Sequence, residues 1–336
     1  MKKKVTIYDI AKKLNITAAT VSRALNNNQN ISEATKELVL KTASKMNYEQ
    51  NKLALALKSG KSNNVGVIVP RIDSNFFGSI IRGIEEELNP HGYHVIICQT
   101  NGDEAKEIAN IDALLNSQVD GILISTSSSE THAFERILKK EVPLIFFDRK
   151  KTMKNVSSVT INDYEGGYKA TQHLIDTGCK KIAHFSGDTN IEIFKERFLG
   201  YQQALIDNDI DFIDEYVIRT KSSIEEGKKA LKKLLKLKNP PEAIFSASDF
   251  AALGAIQELK SRGIKVATDF SVIGFANEPF TKFMELTIST IDQFPLEMGK
   301  MTAKVFLEQV NNKEKVTIEK KVVLEPELII RKSTQK

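Results

Sequence analysis

The sequence predicts a small all-α unit followed by a much larger α/β region made of two doubly wound parallel-sheet halves. Three observations predict it. Helix-start signals recur three times within the first 50 residues, short apolar runs alternate with amphipathic ones from residue 62 onward, and glycines mark the helix-to-strand joints. A chain of 336 residues suits two to three units at roughly 150 residues each.

In the N-terminal part, Thr6 with Asp9 three residues on resembles a capping box, Thr17 precedes AATVSRAL, and Ser32 precedes EATKELVLKTASKM. Ile7, Ile10, Ala11 and Leu14, then Val21, Ala24 and Leu25, then Leu38, Val39 and Ala43 recur at helical spacing and close one small core. Only Asn15, Ile16 and Thr17 separate the first two helices. So short a link forces the sharp crossing of a helix-turn-helix, whose second helix lies in the DNA major groove.

Charge supports that reading over a protein-binding three-helix module. Residues 1–61 carry 12 Lys and Arg against 4 Asp and Glu, whereas the rest carries 36 against 39. A basic small unit on a mildly acidic large one suits a polyanion reader joined to a sensor of something else. On the second helix Ala18, Ala19, Thr20, Ser22, Arg23 and Asn26 are left over from the core. Arg23 suits a guanine, Ala18 or Ala19 a thymine methyl, and Thr20, Ser22 and Asn26 phosphates or base edges.

The segment TIYDIAKKLNITAATVSRALNNNQNISEATKELVLKTASKMNYEQN resembles the headpiece of the lac repressor/galactose repressor family of bacterial regulators. The resemblance adds Thr6, Tyr8 and Asn30 to the DNA-contacting set. It also implies a hinge helix at the minor groove over Asn51–Lys58, with Asn51, Ala54 and the wedge Leu57 as contacts. Gln50 and Leu55 depart from the Pro and Arg common in the family.

Beyond Lys61, VGVIVP, HVIICQ, GILIS, PLIFFD, KIAHFS, EAIFSAS and FSVIGF read as buried strands. The runs 76–89, 108–115, 168–176 and 251–260 read as helices, and Gly92, Gly178 and Gly263 as left-handed helix ends. Ligands bind beyond the carboxyl ends of such strands. The residues there include Asp73, Asn75, Phe76, Phe77, Ser125 to Ser129, Asp148, Arg149, Ser248, Asp249, Asn277 and Glu278. Carboxylates and amides beside aromatic rings suit a polyhydroxylated ligand, although Asp249 also fits a helix cap and Phe76 the core.

The family resemblance continues to the C-terminus and implies a region similar to periplasmic sugar-binding proteins, with two subdomains joined by three crossovers around a small effector. FKERFLGYQQAL places Arg197, and FFDR places Asp148, on the family's effector-binding positions. The expected effector set is Asp73, Asn75, Phe76, Phe77, Ser125, Asp148, Arg197, Asp249 and Asn277. Ser248, Ala276 and Asn277 replace the amide and acidic residues usual there. The implied organisation is a DNA-binding domain over 1–50, a hinge over 51–61, and an effector-binding and dimerisation domain over 62–336. Within the last, the first subdomain covers about 62–161 and 292–321, and the second about 162–291 and 322–332.

Other function classes fare poorly. Cys98 and Cys179, 81 positions apart, read as reduced thiols rather than a disulfide scaffold, and His173, Cys179 and His184 fit no zinc spacing. No phosphate-cradling GxxxxGKS or GxSxG elbow is present, so no enzyme, cofactor or metal is expected. No apolar run approaches the roughly 18 residues of a membrane span, and MKKKVTIYDIAKK lacks a signal-peptide core, which predicts a cytoplasmic, nucleoid-associated protein. The expectation is a homodimeric repressor of a pseudo-palindromic double-stranded DNA operator, modulated by a sugar or sugar derivative. A dimer rather than a tetramer is expected because no leucine heptad follows LEPELIIRKSTQK. The competing reading is a sugar-binding transport protein without DNA function.

Overall fold

The structure, a computed structural model, describes residues 5–48, 61–127, 131–312 and 319–335, and the chain divides into two units, Met1–Ser62 and Asn63–Lys336. The first unit contains α1 (Ile7–Leu14), α2 (Ala18–Leu25) and α3 (Glu33–Lys45). Each begins at its predicted hydroxyl residue. Asp9 Oδ2 accepts from the Thr6 amide at 2.8 Å and hydroxyl at 2.7 Å, and Thr17 Oγ1 accepts from the Thr20 amide at 3.1 Å. Asn15 ends α1 in the left-handed region, φ 52°, where a short amide side chain is tolerated, and this turns the chain into α2. Ile10, Ala11, Val21, Ala24, Val39 and Ala43 form the core, two residues from each helix. Leu38, predicted for that core, is instead exposed, because Val39 and Ala43 already fill the buried stripe of α3.

The second unit holds two parallel sheets. The first contains β1 (Asn64–Val69), β2 (His94–Gln99), β3 (Gly121–Ile124), β4 (Leu144–Phe147), β5 (Ser157–Ile161) and β11 (Lys321–Leu324), in the spatial order β11-β5-β4-β3-β1-β2. Between them run α4 (Asn75–Leu88), α5 (Glu104–Asn116) and α6 (His132–Lys139). Val65, Val67 and Val69 pack with Ile80, Ile84 and Phe306 on one face, while Ile68, Ile122 and Ile124 pack with Leu114, Phe134 and Ile137 on the other. Burial on both faces is why the inner strands read as continuous apolar runs, whereas β2, expected to be buried, lies at the sheet edge with no buried residue.

The second sheet has the order β7-β6-β8-β9 and is built of β6 (Ile182–Ser186), β7 (Val217–Arg219), β8 (Ala243–Ser246) and β9 (Ser271–Ile273). It is wrapped by α7 (Asp163–Asp176), α8 (Glu192–Asp207), α9 (Ile224–Leu234) and α10 (Asp249–Ser261), with the short α11 (Phe280–Phe283) following β9. β10 (Thr290–Asp292) and β12 (Glu327–Ile329) form a separate antiparallel pair, and α12 (Pro295–Asn311) returns to pack against α4. Gly92, Gly178 and Gly263 all have positive φ, between 73° and 92°.

The chain crosses between the halves at Asn162, Gln293 and Glu325, each just past a strand of one half and before an element of the other. The last crossing corrects the expected boundary. Residues 322–324 were expected in the second subdomain, but β11 pairs in register with β5, Lys321 to Ser158 through Leu324 to Ile161. Val322 and Leu324 pack against the first core, and that burial holds them there.

Candidate functional site

On the first unit, Tyr8, Ala19, Arg23, Asn26 and Asn30 are exposed, Tyr8 at 72%. The Arg23 guanidinium makes no hydrogen bond or ion pair with a described residue and is available to a partner; only the Arg23 carbonyl is engaged, accepting from the Asn28 amide at 3.0 Å. Thr6 and Thr20 are engaged in the caps described above, and Thr20 also shares a hydroxyl contact of 2.9 Å with Thr17. Asn26 Nδ2 donates to the Ser22 carbonyl at 2.8 Å. Ala18 differs from expectation: it is half-buried against the helical core, because the tight α1–α2 turn leaves the first residue of α2 facing inward. Asn51, Ala54 and Leu57, and with them the expected hinge helix, lie outside the described residues, as do Ser128 and Ser129.

In the second unit the carboxyl ends of both sheets converge on a cavity of about 160 Å³. Its wall from the first half includes Arg71, Asp73, Phe76, Phe77, Asp148 and Arg149, and from the second Arg197, Asp249, Phe275 and Glu278. A larger opening of about 700 Å³ shares Asp148, Arg149 and Ile193 with it and is otherwise lined by residues such as Lys150, Lys151 and Glu192. The smaller cavity has the marks of a binding site. Buried charges and aromatic faces surround it, and backbone strain gathers there: Asp148 (φ 57°), Ala276 (118°), Asn277 (51°) and Phe294 (48°) all adopt positive φ at or beside the wall. Such conformations cost about 1–3 kcal/mol each and persist where the surroundings hold them.

Asp148 is 4% exposed, and its Oδ2 accepts from the Ser125 hydroxyl at 2.8 Å, with Arg149 Nε 3.8 Å away. Burial pushes its carboxyl above the usual range, opposed by Arg149 and the Ser125 bond. Ser125 is fully buried behind Asp148 and does not line the cavity; it orients the carboxylate instead. Asp73 lies at the mouth, held by a two-bond contact with Arg71 (Nε–Oδ1 2.9 Å, Nη2–Oδ2 2.8 Å) that keeps its carboxyl below the usual range. Phe76 and Phe77 line the wall edge to face, ring centroids 5.1 Å apart. Asn75, by contrast, is exposed at the start of α4 and lines neither cavity, since the helix rotates successive residues by about 100° and sends it outward while its two neighbours point in.

Arg197 lines the cavity but is already occupied. Only 4% exposed, it donates from Nε to Asp163 Oδ1 at 2.8 Å, from Nη1 to the Ala247 carbonyl at 3.1 Å and from Nη2 to Gln293 Oε1 at 3.2 Å. Nη2 also lies 2.8 Å from Asp163 Oδ1, and the guanidinium stacks 3.6 Å from the Phe275 ring centroid. Asp163 follows the first crossing and Gln293 sits on the second, so one side chain ties two crossings to α8. Asp163 still has its carboxyl raised to about 6 by burial, with Arg197 opposing.

Asp249 is almost fully buried, and its two oxygens accept from the Thr290 hydroxyl at 2.7 Å and the Glu278 amide at 2.8 Å; burial raises its carboxyl to about 6. Asn277 departs from the expected role. Its side chain donates to Asp292 Oδ2 at 2.7 Å, accepts from Arg331 Nη2 at 2.7 Å, and does not line the cavity. Positive φ at Ala276 and Asn277 turns that loop so that Glu278 faces the cavity instead. Sequence reasoning also left Arg71, Phe194, Phe275 and Gln293 out of the site. Arg71 and Phe275 adjoin strand ends and were within reach of that criterion, whereas Gln293 follows a three-residue strand with no apolar-run signal.

His184 and His173 serve packing. His184 is fully buried, donates from Nδ1 to the Phe245 carbonyl at 3.0 Å, stacks on Tyr201 and Phe245, and is held near pKa 3 by burial. His173 Nε2 contacts Thr334 Oγ1 at 2.7 Å. Among the described residues no cluster of His, Cys, Asp and Glu is placed to hold a metal, and no helix is long and apolar enough to cross a membrane. Cys179 is buried, Cys98 only partly so, and neither forms a disulfide.

Residues 6–51 match the family described as bacterial regulatory proteins, lacI family, and residues 62–326 match the periplasmic binding proteins and sugar binding domain of the LacI family. The chain is 34% identical over 334 residues to the HTH-type transcriptional regulator DegA of Bacillus subtilis, with 98% of each chain covered. Among solved structures it is similar to a LacI-family regulator from Enterococcus faecium with bound ribose: 29% identity, TM-score 0.73, 81% of this chain and 98% of that one. The lac repressor dimer bound to operator has the same fold at 22% identity, with a TM-score of 0.89 over 99% of this chain and 100% of that one. The match over the first unit sets aside the transport-only reading. The chain belongs to the lacI family of bacterial regulatory proteins, as a DNA-binding transcriptional regulator with a ligand-binding domain.

Proposed function

We propose that the chain is a homodimeric, cytoplasmic repressor whose operator affinity is set by a sugar or sugar derivative bound at the 160 Å³ cavity, and that it turns over no substrate. The observation that carries the proposal is the cavity itself: carboxylates, guanidinium groups and phenyl rings converge there from the strand ends of both halves. The cavity shares Asp148, Arg149 and Ile193 with the neighbouring 700 Å³ opening, so a small polyhydroxylated ligand can enter from that side. The ribose-bound Enterococcus faecium regulator supports a sugar as the ligand class. On this reading Asp148, Arg197 and the Phe76–Phe77 pair form the effector wall. Arg23, Tyr8, Ala19, Asn26 and Asn30 face the operator. Two copies give two recognition helices, hence a pseudo-palindromic site.

Selection of bound DNA from a random-sequence pool by the purified chain tests this. Two inverted half-sites are expected, together with a sugar that raises the melting temperature of the protein. Enrichment of a single unsymmetrical site, or of no sequence, overturns the dimeric reading.

A further inference from the structure

The charged groups lining the small cavity do not balance. Arg71 is satisfied by Asp73 and Arg197 is bound to Asp163, while Arg149 faces Asp148 at 3.8 Å, its Nη1 donating to Ser127 Oγ and its Nε making no hydrogen bond. Of the two remaining acids, Asp249 has both oxygens occupied by Thr290 and the Glu278 amide. Glu278 is what is left. It is 6% exposed, lines the cavity, and its carboxylate accepts no hydrogen bond from a described residue. The loop that presents it is built for the purpose: Asn277 is anchored to Asp292 and Arg331, the Glu278 amide to Asp249, and Ala276 and Asn277 hold positive φ. A largely buried carboxylate is costly unless water or a ligand in the cavity supplies donors.

We propose that Glu278 determines the specificity of the cavity: its carboxylate accepts hydroxyl or ammonium donors from the ligand and restricts the site to neutral or amine-bearing sugars, turning away sugar acids and sugar phosphates. The proposal rests on the sugar-effector reading above. An anionic ligand would face Glu278, and each described cation in the wall already has an acid within 4 Å, Arg149 the most loosely, its Nε 3.8 Å from Asp148 and making no hydrogen bond. Burial and the neighbouring Asp249 raise the Glu278 carboxyl to about 7, while Arg71 across the cavity lowers it. A donor-bearing ligand favours the ionised form, so binding near pH 7 releases part of a proton. The other charged groups around this region are Asp73 at the mouth, Asp148 and Arg149 on the opposite wall, Arg197 on α8, and Arg331 and Asp292 behind Asn277.

The test uses the full chain with D-ribose, D-glucose, D-glucosamine, D-glucuronate and a ribose phosphate as probes, in thermal melting followed by calorimetry in two buffers of different ionisation enthalpy. Neutral or amino sugars are expected to bind and the two anionic probes to be rejected. Glu278→Gln should weaken the sugars that bind by roughly 10- to 100-fold, the loss of one charge-assisted hydrogen bond, and reduce the proton release. Glu278→Asp, which keeps the charge, should still reject the anionic probes. An anionic probe binding the wild type as tightly as its neutral counterpart overturns the proposal, as does a neutral sugar bound equally by wild type and Glu278→Gln; both outcomes leave the sugar reading standing. No stabilisation by any probe overturns that reading and the proposal with it.

Discussion

Replacing Arg197 by Ala strips a buried carboxylate and two neutral acceptors of their donors, and the loss can be worked out group by group. Asp163 titrates at about 6 with the guanidinium in place. Without it the carboxyl rises further and takes a proton, which limits its contribution at pH 7 to about 1 kcal/mol. The Ala247 carbonyl and Gln293 Oε1 lose bonds of 3.1 and 3.2 Å, at about 1 kcal/mol each at the low end for unsatisfied buried groups. The stacking on Phe275 adds about 1 kcal/mol, which brings the total to roughly 4 kcal/mol at pH 7. The Asp163 part has a signature: the loss should grow by up to about 1.4 kcal/mol per unit between pH 6 and 8, because protonation becomes harder. Urea unfolding followed by far-UV circular dichroism reads this, since the chain has no Trp for fluorescence. A loss under about 1 kcal/mol, or one unchanged across that pH range, would refute the claim that Arg197 ties the crossings together.

Three further outcomes are expected. Arg23→Ala should cost about 1–3 kcal/mol of operator binding and relax specificity at one base pair per half-site, measured on operators mutated one position at a time; an equal loss on all sequences would mark a phosphate contact. Folded-state carboxyls raised to about 6 at Asp163 and Asp249 and about 7 at Glu278, against roughly 4 when unfolded, mean that the folded chain holds more protons between about pH 4 and 7. Stability at the ligand-free site should therefore fall as pH rises through that window and level off above it, and Glu278→Gln should flatten its upper part in urea titrations. Gly200→Ala should separate α7 from α8, because a Cβ there meets the Tyr164 carbonyl, and should lower the melting temperature with a loss of about 1–3 kcal/mol.

Much of the fold was legible because its signals are local. All seven apolar runs became strands; six are buried on both faces, which leaves no polar alternation to blur them, whereas HVIICQ became the edge strand β2, with no buried residue. β5 was missed because SSVTI carries three hydroxyl residues, all buried, and β7 and β10 because three residues show no period. The site was legible as a set of strand ends but not as a set of directions. Following β9, both Asn277 and Glu278 are polar, and only the positive φ of Ala276 and Asn277 decides that Glu278 faces the cavity and Asn277 faces Arg331. Likewise the FKERF stretch pointed to Arg197, but its partners Asp163 and Gln293 lie 34 and 96 positions away, where no spacing rule reaches.

Linkage between ligand binding and DNA binding is read most directly as operator affinity by fluorescence anisotropy, with and without the sugar that stabilises the protein. The prediction is a change of roughly 5- to 150-fold in Kd, matched by an equal change in sugar affinity when operator is present. A sugar that binds and stabilises the chain while leaving operator affinity unchanged would contradict it.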